Sequence, residues 1–188
     1  MSSKINLKFV FPVLMSFFVM SFCDLVGIGV DRIKLEFNLS NTLAQLIPSA
    51  VFIWFFFLSV PIGILQDRIG KRLMLNIGMG ITFIGLLIPF VFYTFFGVLF
   101  GFAMLGIGNT IVQVSANPLL VDVVPTNRAS SFLSFSQFIK AIGSMVAAPF
   151  AGWLALTYGD WKLMFIVFGV VTLIAVIWLG SVKIEESA

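Results

Sequence analysis

Six long apolar runs divide the chain, and short polar stretches part them. They cover about 9–30, 42–65, 73–92, 95–121, 131–156 and 162–182. A helix needs roughly 20 apolar residues to cross the hydrocarbon core of a bilayer. Strands of a membrane barrel would instead alternate over segments of about ten residues. These runs are continuous and about twice that length, so they predict six transmembrane helices. Gly and Pro occur freely inside them, as lipid-embedded helices tolerate. The expected fold class is all-α, a single six-helix membrane domain over residues 1–188.

Composition removes the alternatives. Of 188 residues, 60% are hydrophobic and 10% charged, against about 45–50% and about 25% in soluble domains. Mean hydropathy is +1.13. A soluble fold has too little interior to hide that much apolar surface. Soluble, disordered and nucleic-acid-binding proteins are therefore excluded, and the lipid bilayer is the first partner. The first apolar run reads as a span and not as a removed signal, because no small-residue cleavage site follows it. Cys23 is the lone cysteine, so no intramolecular disulfide forms; it reads as a small buried hydrophobe. There is no histidine, which removes His metal sites and His proton relays. No metal and no cofactor are expected.

Charge gives an orientation. Lys4, Lys8, Arg68, Lys71, Arg72, Arg128 and Lys183 fall on one side of the six spans; Arg32, Lys34 and Lys162 fall on the other. The basic side faces the cytoplasm, so both termini are expected there.

A repeat runs through the pattern. Gly63 and Gly70, around the end of span two, recur as Gly152 and Gly159 after 89 positions. Asn41 and Ser130 keep that shift, as do Asp24 and Gln113; Pro61 and Pro149 are one residue out of step. Three spans is an odd number, so the second copy (about 93–188) is inverted relative to the first (about 1–92). Inverted three-helix repeats are a mark of secondary transporters, with binding near the midplane.

Two charges sit inside spans: Asp24 in span one and Lys140 in span five. Each costs at least about 2.5–3.5 kcal/mol to insert. Such groups face a polar cavity or one another. Asp24 reads as a solute- or proton-binding carboxylate, or as half of a structural ion pair with Lys140. Asn109, Gln113 and Asn117 recur every four residues and share one face of span four. Gln137, Lys140 and Ser144 share a face of span five. Two polar faces in apolar helices point to a water-filled cleft. Amides and hydroxyls both donate and accept, as sugar hydroxyls require. Interhelical hydrogen bonding is the plainer reading, and Asn117 could simply serve backbone freed by Pro118. Trp54 lies near mid-depth in span two, where a sugar face could stack on it or where lipid could cover it. Trp153, Trp161 and Trp178 fall near span ends and read as interfacial anchors.

The most specific segment is Gly63-Ile64-Leu65-Gln66-Asp67-Arg68-Ile69-Gly70-Lys71-Arg72. Its glycines allow a tight turn between packed helices. Asp67 can exchange partners between conformations, which a gate requires. Through Gly63, Leu65, Asp67, Arg68, Gly70, Lys71 and Arg72 the segment resembles the cytoplasmic loop motif of the major facilitator superfamily. The resemblance implies a gating network in which Asp67 and Arg72 join Asp122 at the inner end of span four.

Phe22-Cys23-Asp24-Leu25-Val26-Gly27, the stretch from Gly106 to Pro118, and Ser136-Gln137-Phe138-Ile139-Lys140 together look like the fucose and glucose/galactose permease branch of sugar–proton symporters. That resemblance implies sugar binding and proton coupling at Asp24. Gln113 stands where the branch has a span-four acid, and Lys140 stands at its polar span-five position. The branch is built of twelve spans, so this chain looks like its N-terminal half. A second six-helix half or a homodimer partner is then implied, in a bacterial inner membrane. Other readings are a drug–proton antiporter half and a non-transporting membrane assembly protein. An enzyme is not expected: the chain has no His, no paired acidic metal motif and no Gly-x-Ser-x-Gly.

Overall fold

The computed structural model of the chain describes residues 6–186, apart from the Leu25 side chain. Lys4, used in the charge tally, lies outside the described residues. Span one is α1 (Leu7–Met20), a 3-10 turn (Ser21–Asp24) and α2 (Leu25–Glu36). Span two is α3 (Asn41–Ala44) followed by α4 (Leu46–Ile69). Spans three and four are α5 (Lys71–Val91) and α6 (Phe95–Val123). Span five is α7 (Ala129–Tyr158), entered by a 3-10 turn at Thr126–Arg128, and span six is α8 (Leu163–Ser181). All six stretches are long and apolar enough to cross a membrane. No strand occurs among the described residues.

The helix starts are chemically marked. The Ser40 hydroxyl accepts from the Leu43 N–H at 3.3 Å, and the Thr94 hydroxyl accepts from the Gly97 N–H at 3.1 Å. Each satisfies a donor that the first helical turn leaves free. Pro12, Pro61, Pro89, Pro118 and Pro149 all lie inside helices, where neighbouring helices compensate for the lost backbone bond. Span one runs past the expected residue 30 to Glu36. Asp31, Arg32, Lys34 and Glu36 read as loop because they are charged. Charge ends a hydrophobic run but does not end a helix.

Packing centres on α6. A Cβ at Gly85 would lie 2.7 Å from the Leu105 backbone nitrogen, and one at Gly106 would lie 2.2 Å from the Val51 carbonyl. Glycine therefore brings α5 and α4 against α6 at a distance no larger residue permits. Phe17, Phe22, Phe102 and Phe165 fill the core between α1, α6 and α8. Span one is the most buried of the six, and spans two and five are the least. Phe56, Val60, Met145 and Leu156 stand exposed on those two.

Gly70 and Gly159 end α4 and α7 with positive φ, 97° and 74°. They occupy matching places in the 89-residue shift. Gly63 and Gly152 differ from expectation: both lie inside helices, because α4 runs on to Ile69 and α7 to Tyr158. Only the second glycine of each pair makes a turn.

Candidate functional site

Asp24 is the last residue of the 3-10 turn that breaks span one. The break turns its carboxylate outward, so Asp24 is exposed while its neighbours Phe22, Cys23 and Val26 are buried. It borders a cavity of about 420 Å³ between α2 and the start of span two. Gly27, Val30, Asp31, Gln45 and Phe52 line the same cavity. On the other side of Asp24, the Ser144 hydroxyl of α7 donates to Oδ2. The same hydroxyl lies 3.1 Å from the Lys140 carbonyl, one turn back.

The ion pair weighed from sequence does not form. Among the described residues neither Asp24 nor Lys140 makes a salt bridge. Both charges lie near enough to Cys23 to act on it, together with the Asn109 side chain. Asn109 is thus buried against Cys23 at the back of the turn and does not face the cavity. Gln113 and Gln137 are exposed polar side chains on α6 and α7. Asn117 is spent on its own helix: its Nδ2 donates to the Gln113 carbonyl at 3.1 Å.

Trp54 is a correction. It sits in an apolar recess of about 500 Å³ with Ala50, Phe96 and Phe100, away from Asp24. Phe52, two residues earlier, is the aromatic in the cavity wall. Two residues turn a helix by about 200°, so the two rings take opposite faces. Asp31 and Gln45 escaped the sequence reading: Asp31 fell in the loop after span one, and Gln45, though inside span two, was passed over. Asp31 carried a signal in its spacing, since it follows Asp24 by two helical turns and shares its face.

The Gly63–Arg72 segment is also wired differently from expectation. Asp122 pairs with Lys71, Nζ to Oδ2 at 2.8 Å, and no ion pair joins it to Arg72 among the described residues. Antiparallel α5 and α6 put the first residue of one beside the end of the other, which is where Lys71 and Asp122 lie. Arg72 instead donates to the last carbonyls of α8, Nε to Leu179 at 3.2 Å and Nη2 to Gly180 at 2.7 Å. A cation there also suits the negative end of the helix dipole. Glu186 accepts from the Lys71 and Arg72 backbone N–H groups at the start of α5. Asp67 and Arg68 are exposed at the surface beside them.

Comparison with known proteins agrees with this geometry. Residues 12–187 match the Major Facilitator Superfamily. A glucose/galactose transporter of Brucella abortus is 31% identical over 145 residues, covering 75% of this chain and 35% of that protein. The cis,cis-muconate transport protein of Acinetobacter baylyi is 31% identical over 159 residues, covering 81% of this chain and 37% of that protein. In fold, the chain is similar to the xylose transporter XylE of E. coli in its inward-open conformation. The TM-score is 0.81 at 18% identity, covering 94% of this chain and 48% of that one. The chain therefore spans about a third to a half of the length of the proteins it matches. Six packed spans, the Gly63–Arg72 segment and the match over residues 12–187 place this multi-pass membrane chain in the Major Facilitator Superfamily of transporters.

Proposed function

We propose that the chain is the N-terminal six-helix half of a sugar transporter in a bacterial inner membrane, with both termini cytoplasmic. One observation carries the solute class. Asp24, paired with no cation among the described residues, borders a cavity with Asp31, Gln45 and the ring of Phe52. Carboxylates accept from sugar hydroxyls, an amide does both, and a ring packs on the apolar face of a pyranose. A dianion such as muconate would meet two carboxylates there and no lining cation. That repulsion favours the sugar over the acid, although relatives of both kinds match equally well.

The same carboxylate is the group placed to take up a proton with the solute. A second half, facing the exposed apolar sides of spans two and five, completes the central site; the two three-span repeats, about 1–92 and 93–188, are inverted copies. Matching positive-φ glycines at Gly70 and Gly159 support the repeat.

The test is binding of D-galactose, D-glucose and cis,cis-muconate to the purified chain, with D24N alongside. Galactose or glucose binding that D24N removes supports the reading; tighter binding of muconate overturns it. Alkalinisation outside vesicles on galactose addition supports proton coupling, and uptake without a pH change refutes it.

A further inference from the structure

The outer half of span one is an arm held at both ends. Asp24 marks its lower end, at the 3-10 break. Val26, Gly27, Val30 and Asp31 of α2 form one wall of the cavity. Glu36 is the last residue of the helix, about 18 Å from Asp24 at 1.5 Å per residue.

Glu36 is held by two loops at once. Its Oε1 accepts from the Trp161 indole N–H at 2.8 Å. Its other oxygen, Oε2, accepts from the Tyr93 hydroxyl. Tyr93 stands between α5 and α6, and Trp161 just before α8, so one carboxylate ties three parts of the chain together. Glu36 is exposed and Tyr93 half-buried. Trp161 is 4% exposed, which corrects its reading as an interfacial anchor. The Phe37 ring packs 5.2 Å from the Tyr93 ring. Lys162 lies 4.4 Å above the centre of that ring and 3.6 Å from Asp160. Burial first, and then the adjoining Glu36, push the Tyr93 hydroxyl above its ordinary value, so it keeps the proton it donates.

We propose that Glu36 is a positioning residue: its bonds to Tyr93 and Trp161 hold α2 in place and so fix where Asp24 and Asp31 stand in the cavity wall. The consequence for solute binding rests on the sugar-site reading above; the mechanical claim does not.

Labelling separates the two. Val30 is replaced by Cys in a C23A background of the whole chain, and the detergent-solubilised protein is reacted with a water-soluble maleimide. E36A should speed labelling at residue 30 by about tenfold, the factor that one charge-assisted hydrogen bond sets on an opening equilibrium. Y93F and W161F should each give part of that change, and E36Q, which keeps one acceptor, should be milder than E36A. A control cysteine in place of Asn127, on the opposite face, should label at the same rate throughout. An unchanged rate at residue 30 in folded E36A overturns the proposal, as does an equal rise at residue 127. If E36A does not fold, Y93F and W161F decide, because each removes a single donor. E36A should also raise the galactose concentration for half-saturation more than it lowers the maximal rate. If the parent chain binds no sugar while labelling responds as expected, the sugar reading fails and the positioning role stands.

Discussion

At the face that carries the Gly63–Arg72 segment, charge is matched with charge. Asp122, its side chain 7% exposed, lies 2.8 Å from the Lys71 ammonium. Arg72 closes the end of α8, and Glu186 closes the start of α5. At the middle of span one the arrangement is the reverse. Asp24 borders a cavity, accepts from a neutral hydroxyl and has no cation bonded to it among the described residues. Satisfied charges hold helices together; in the proposed sugar site, a carboxylate kept exposed inside a span is held for the solute. On that proposal the insertion cost serves stability in one place and recognition in the other.

Replacing Asp122 tests the first half of that contrast most severely. D122A takes the carboxylate away from the half-buried Lys71 ammonium, and should cost about 1–3 kcal/mol of stability. The thermal unfolding midpoint in detergent measures this, and galactose affinity should stay within about twofold. A mutant as stable as the parent would remove the structural role assigned to that face.

D24N should do the opposite. Galactose affinity should fall about tenfold or more, as expected for losing a hydrogen bond to a charged group, while the unfolding midpoint hardly moves. If D24N instead unfolds the protein as D122A does, the contrast between the two regions is gone.

The tail contact comes next in size. E186Q should lower stability by about 0.5–1 kcal/mol, since it replaces a carboxylate at the positive end of α5 with a neutral amide. Salt should shrink that difference; salt-independent loss would point to another cause.

Smaller effects separate neighbouring residues. A D24N/K140M double-mutant cycle should show coupling below about 0.5 kcal/mol, because no ion pair joins the two. A larger coupling in the unfolding data would restore that pair. F52L should weaken galactose binding about threefold and W54L hardly at all, in keeping with the size of an aromatic contact. The reverse order would exchange their places in the wall.

Much of the fold was legible along the chain. Hydropathy alone located all six spans, and the turn glycine Gly70 followed from its place between two helices. The site was legible in part. Asp24 stood out because a charge in an apolar run is costly wherever the run goes. Asp31 and Glu36 did not, because four charges within six residues look like a loop, and nothing local tells an extramembrane helix turn from one. Trp161 looked like any tryptophan at a span end until Glu36 came beside it.

The division has one physical origin. Burial in lipid and helix formation depend on each residue and its near neighbours, so the sequence by itself determined six helices, their ends to within a few residues and the presence of a costly acid in span one. Pairing depends on which helix faces meet, across as many as 125 positions between Glu36 and Trp161. Only the tertiary structure decided that Lys71 meets Asp122, that Arg72 reaches α8, that Phe52 and not Trp54 walls the cavity, and that Asp24 accepts from Ser144 and makes no ion pair with Lys140.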